Sequence, residues 1–237
     1  AHPEAKWRIA LVHKNVFSGS GHQEDEETPL FRETMLPIFK DCEIDLVLQG
    51  HDHCYEIIGP VNPDTRTPIL DAITDVEEVP VNMVNNMTGK KGGTFRVDDG
   101  TLYFIGATCG TKRYNPNHKL TMEADYEKHK VENYYDLFTG MFGQPGRPSY
   151  SSFTVDGNTI TVNSYKVYKD IDPVLFNTFY IKRTKEHNSG DRQGPISLEQ
   201  LIQENGTAKI IYDGSMFIVR ENIAYNALGQ IVFDKRN

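Results

Sequence analysis

Two histidines stand two residues apart behind a glycine in Gln49-Gly50-His51-Asp52-His53-Cys54-Tyr55, and a third, His13, closes the apolar run at residues 7–12. Neutral imidazole nitrogen is a good ligand for zinc, manganese or iron, and alternate positions of a turn can face neighbouring ions. A bare His-x-His is also met as a chance pair of hydrogen-bonded rings. What favours ligation here is that the pair follows one apolar run directly while His13 ends another. His22 lies nine residues after His13 in a polar, glycine-containing loop beside Gln23 and Glu24. Asp52 reads as solvated or supporting rather than ligating, and Tyr55 as a packing residue. His2, His118, His129 and His187 do not cluster in sequence and are expected at the surface.

The elements that must position these histidines are legible. Residues 7–12 and 44–48 read as strands, and a helix between them is expected to start with Thr28 as N-cap and Pro29 at the first helical position. Leu30, Phe31, Leu36, Ile38 and Phe39 supply its apolar contacts, and Pro37 should kink or interrupt it. Strand, helix, strand is the pattern of a parallel β-α-β unit, whose ligands sit beyond the carboxyl ends of the strands. Both strand ends carry histidine. Beyond residue 55 short β runs follow at 68–72, 93–97, 101–105, 152–155 and 159–167, with Asp99-Gly100 and Asp156-Gly157-Asn158 as expected hairpin turns.

Residues 110–150 form a long aromatic-rich excursion with one expected helix at 123–135, and a loop of this length usually covers a site. Residues 186–195 read as a linker. The expected organisation is therefore a main part over 1–185, the linker, and a small β module over 196–237, containing a short helix at 197–204 and a hairpin through Asp213-Gly214.

With 33 acidic against 25 basic side chains and a net charge of −8, the chain lacks the basic balance that nucleic-acid binding draws on, and acidic membranes are disfavoured too. No run of about eighteen apolar residues exists, so no membrane span is expected. The opening, which runs straight into the first strand, reads like a cut edge. Three cysteines without paired spacing are expected as free, buried thiols.

These motifs resemble the calcineurin-like metallophosphoesterases, and within them the purple-acid-phosphatase-like branch. Residues 6–14 look like that family's strand ending in a metal-binding His, and residues 44–56 like its G-H-x-H-x-Y motif. The likeness continues less specifically through 100–110 and covers about residues 6–170. It implies an α/β fold, the β-rich second half of an αββα sandwich, and hydrolysis of a small-molecule phosphoester by a water activated between two metal ions. By the same resemblance His13 and His51 would bind one ion and His53 the other, while His22 would contact the phosphate and protonate the leaving oxygen; a solvated loop residue is the other reading of His22. An arginine usually follows the family's Y-E pair, and here Ile57 does, so contacts of that arginine are not carried over.

The family's aspartate- and asparagine-bearing motifs, D-x-H, G-D-x-x-[DY] and G-N-H-[DE], are absent, and the sole Gly-Asp, Gly190-Asp191, falls in the linker. The chain is thus expected to be the C-terminal part of a longer enzyme whose N-terminal half is its missing partner. Two divalent or trivalent ions, Fe, Zn or Mn, belong to the full-length protein, with partial or no metal and no activity in this chain alone. Two alternatives stay open: a binding protein that kept the fold without catalysis, and a single-metal zinc hydrolase using His13, His51 and His53. The resemblance and the β-rich tail together place the protein in the periplasm or outside the cell.

Overall fold

The computed structural model describes residues 5–74, 93–114 and 137–187, and the four strands between residues 208 and 234. The chain parts into two compact units, one of them Ala5–His187 and the other built on Asn188–Asn237.

In the larger unit the first apolar run forms β1 (Ile9–Leu11), and α1 (Glu27–Asp41) returns the chain to β2 (Leu46–Gln49). The two strands pair in parallel, Ala10 opposite Val47, which confirms the β-α-β unit. The helix starts one residue before Thr28, because the Thr28 hydroxyl donates to the His22 carbonyl at 2.8 Å instead of capping. Pro37 lies inside the helix and does not end it; buried Leu36 and Phe39 hold the last turns on the sheet.

β3 (Tyr55–Val61), β6 (Thr101–Gly106) and β7 (Phe142–Gly143) complete a mixed sheet of order β1-β2-β6-β3-β7, in which β2 and β6 are parallel and β3 runs against β6. Every residue of β3 is buried, so it carries no alternation from which a strand could be read. At the other edge, β1 leaves Leu11 82% exposed.

A second sheet takes β4 (Ile73–Thr74), β5 (Thr94–Arg96), β8 (Ser149–Asp156), β9 (Thr159–Lys166) and β10 (Val174–Lys182) in the order β4-β5-β10-β9-β8. Residues 68–72 are mostly a bridge and a 3-10 turn rather than a strand. Asp156-Gly157-Asn158 does turn one hairpin, joining β8 to β9. Asp99-Gly100 does not, because β5 and β6 belong to different sheets and the turn carries the chain between them.

The layers follow from β6. Tyr103 faces the α1 side, edge-on to Phe17 at 5.0 Å and near Phe39. Its neighbour Phe104 faces the second sheet, 5.3 Å from Phe179 and 5.4 Å from Tyr55. Successive residues of a strand point to opposite faces, so one strand packs against both layers. The strand-rich, mixed-sheet architecture is the α/β class expected.

The smaller unit is an antiparallel meander of β11 (Ala208–Tyr212), β12 (Ser215–Arg220), β13 (Ile223–Asn226) and β14 (Ile231–Asp234). The expected helices at 123–135 and 197–204, and the linker from residue 188 on, lie outside the described residues. Among the described residues no helix is long and apolar enough to cross a membrane.

Candidate functional site

The carboxyl ends of β1 and β2 are stitched together where the histidines emerge: Val12 N–H donates to Leu48 O at 3.0 Å and Gly50 N–H to His13 O at 3.1 Å. His51 then adopts a left-handed backbone, φ +71°, uncommon for a side chain other than glycine. This turn brings His51 Nδ1 to 3.2 Å from His13 Nε2. The His22 ring lies 4.0 Å from that of His51, and His22 Nδ1 is 2.9 Å from Asp25 Oδ2, which is itself 3.9 Å from His51 Nε2. His22, Asp25 and His51 each offer one ligand atom, all within 4.8 Å of one another. Burial, with His22 and His13 nearby, holds the pKa of His51 below its ordinary value, which favours the neutral ring with a free lone pair.

His53 is set apart. Its Nδ1 lies 3.2 Å from the Lys112 carbonyl, so that nitrogen donates and Nε2 keeps the lone pair. Its ring stacks on Tyr114 at 4.8 Å and 19°, and Tyr114 stands edge-on to His22 at 5.3 Å. The described start of the 110–150 excursion therefore does cover the site. It is pinned there by Gln144 Nε2, which donates to both His53 O and Tyr114 O at 2.8 Å, and by the Cys54 thiol on Tyr114 O at 3.0 Å.

The floor of the site is acidic and buried. Asp52, expected as solvated or supporting, is fully buried, and burial raises its pKa. The reason is that the turn after β2 folds Asp52 inward under the loop that carries His22. Glu56, on β3, is also fully buried; Gly19 N–H donates to its two oxygens at 3.1 and 3.2 Å. Burial first, and then the negative Asp52, push the Glu56 pKa well above that of an ordinary glutamate.

The His22 loop is clamped from below. Gln49 accepts from Val16 N–H at 2.7 Å and donates to Phe17 O at 2.6 Å, while buried Arg32 donates to Val16 O at 2.7 Å and to the Gln23 side chain. Sequence reasoning missed these clamps, along with Asp25 and Tyr114. Asp25 had a signal, an acidic residue three positions after His22; Tyr114, 61 positions after His53, had none.

His187, expected at the surface, is buried at the far end of the sheet. Its Nδ1 faces Glu43 at 3.2 Å and its Nε2 faces Asp45 at 3.1 Å, with Arg8 on Glu43 and Arg183 on Asp45. Asp45 precedes β2 while His51 follows it, so this cluster takes no part in the site. His2, His118 and His129 lie outside the described residues. The cysteines are free, but Cys42 and Cys109 are exposed and only Cys54 is buried.

No family model matches the chain. Over 105 residues, 42% of this chain and 20% of theirs, it is 30% identical to uncharacterized proteins of two Mycobacterium tuberculosis strains. Over 62 residues, 26% of this chain and 16% of the relative, it is 38% identical to purple acid phosphatase 3 of Arabidopsis thaliana. The chain thus spans 20% or less of the length of these curated relatives. A purple acid phosphatase structure from yellow lupin, Lupinus luteus, superposes with a TM-score of 0.44 at 15% identity, over 77% of this chain and 26% of that one.

Proposed function

We propose that the chain is the C-terminal part of a metal-dependent phosphoesterase, in which His13 and His51 hold one ion, His53 holds a second, and His22 donates a proton to the leaving group. The observation that carries this reading is the convergence of His13, His51 and His22 at the carboxyl ends of adjacent parallel strands. The donor set fits: His51 is kept neutral, and His53 has one nitrogen occupied by a backbone carbonyl and the other left free. Two divalent or trivalent ions, Fe, Zn or Mn, would when bound activate a water and offset charge on the phosphoryl group. His22, its Nδ1 proton held on Asp25, can give up a proton from Nε2 to a departing oxygen. The exposed apolar edge of β1 supports a further strand beside it, as the missing N-terminal half would supply. A small-molecule phosphoester substrate and a secreted or periplasmic location go with this reading.

A second reading is favoured by one distance. His22, Asp25 and His51 are already close enough for a single ion with two nitrogens, one oxygen and an open position. Metal content by atomic spectroscopy beside turnover separates the two. In the longer enzyme, His51→Ala or His53→Ala should lower bound metal and remove nearly all hydrolysis. His22→Ala should keep its metal and lose about 10²- to 10⁴-fold on alkyl phosphates, less on nitrophenyl phosphate, whose leaving group needs no proton. Metal lost with His22→Ala and Asp25→Ala but retained in His53→Ala would replace the two-ion reading by the single-ion one. This chain alone should turn over no p-nitrophenyl phosphate above metal-ion background; turnover abolished by His53→Ala would overturn its reading as a part.

A further inference from the structure

Tyr114 touches two of the site's imidazoles, and what stands on Tyr114 is a cation. The Lys112 ammonium lies 5.0 Å from the Tyr114 ring centroid, and that ring is 4.8 Å from His53 and 5.3 Å from His22. The ammonium is therefore one ring away from both. Its backbone is fixed as well, since the Lys112 carbonyl takes the His53 Nδ1 proton and the next anchor, Tyr114 O, is held by Gln144 and Cys54. The side chain itself is exposed, and among the described residues no carboxylate pairs with it. Lys14, the lysine next to His13, is by contrast tied to Glu27.

A cation resting on an exposed aromatic face is weakly held and readily exchanged for an anion. In a chain of net charge −8, whose site adds Asp25 and the buried Asp52, such a cation is the group that makes the rim receptive to a phosphate. We propose that Lys112 is a specificity-determining residue whose ammonium pairs with the non-bridging oxygens of the substrate and selects dianionic phosphomonoesters over monoanionic diesters. Coulomb attraction scales with the charge of the partner, so a single ammonium discriminates by charge count. Tyr114 is the positioning residue, its ring stacked on His53 and carrying the ammonium. The inference rests on reading the site as a phosphoester site.

The test is calorimetric titration of the zinc-loaded longer enzyme with inorganic phosphate and with dimethyl phosphate, metal content being measured on the same samples. Lys112→Gln should weaken phosphate binding about tenfold, the scale of one charge-assisted hydrogen bond, and leave dimethyl phosphate within about twofold. Lys112→Arg should retain most of the phosphate affinity, and Arg113→Gln all of it. Equal losses for both ligands, no loss, Lys112→Arg as weak as Lys112→Gln, or absence of phosphate binding by the parent enzyme would each overturn the assignment. Retained zinc with a phosphate preference indifferent to Lys112 would sink this inference alone. Zinc not retained, with the preference still following Lys112, would sink the metal reading and leave this one standing.

Discussion

A single methyl group at Gly19 should unseat the loop that carries His22. A Cβ built there lies 2.2 Å from Phe142 Cε2, 2.5 Å from its Cζ and 2.9 Å from Phe138 Cζ, where carbon atoms rest at about 3.5–4.0 Å. Neither ring has room to retreat, for Phe138 and Phe142 are buried and pack on each other at 4.2 Å. Overpacking of this kind costs about 1–3 kcal/mol. If the loop moves instead, Gly19 N–H leaves the Glu56 carboxyl, at about 1–3 kcal/mol for a buried donor left unpaired. By either route Gly19→Ala should therefore lose about 1–3 kcal/mol in urea denaturation, a sizeable share of the 5–15 kcal/mol typical of a domain. Gly21→Ala is the matched control: nothing lies within 4 Å of a Cβ there, so the change should stay within about 0.5 kcal/mol. Equal stabilities for the two variants would refute the packing argument. Phe142→Leu should restore part of the loss only if the clash is with that ring.

Two further outcomes test the buried charges. Glu56 binds its proton more tightly folded than unfolded, so the stability this confers is fully present below the unfolded value near 4.5 and is lost as pH rises through the raised folded value. Glu56→Gln should keep an acceptor for Gly19 and flatten that decline in melting temperature as pH rises above 4.5; parallel curves would show that Glu56 does not titrate there. Asp45 accepts from Arg8 N–H at 2.7 Å, from Arg183 and from His187, and burial pushes its pKa up despite them. Asp45→Ala leaves Arg183 and His187 buried without that acceptor and should cost about 3–5 kcal/mol by chemical denaturation, and a loss under 1 kcal/mol would mean the far-end cluster is not a structural tie.

The amino-acid sequence by itself determined the local features of this protein. Residues 7–12 and 44–48 are apolar runs separated by a helix-length segment, and that pattern alone dictates a parallel pair with His13 and His51 at the same end. The hairpin at Asp156-Gly157 was legible for the same reason, since turn chemistry acts over a few neighbouring residues. What the tertiary structure decided depends on residues far apart in the chain. Asp99-Gly100 looks like a hairpin turn in isolation, but β5 pairs with β4 and with β10, the latter more than seventy residues on, and no local pattern records that choice. His187 is a titratable residue that local rules send to the surface; it is buried because the carboxylates of Glu43 and Asp45, more than 140 residues earlier, meet its ring there. Tyr114 and Lys112 reach His53 only because Gln144, thirty residues beyond Tyr114, closes the loop over it. Periodicity sets which way a side chain faces along its own element, and only the packing of one element on another decides what it faces.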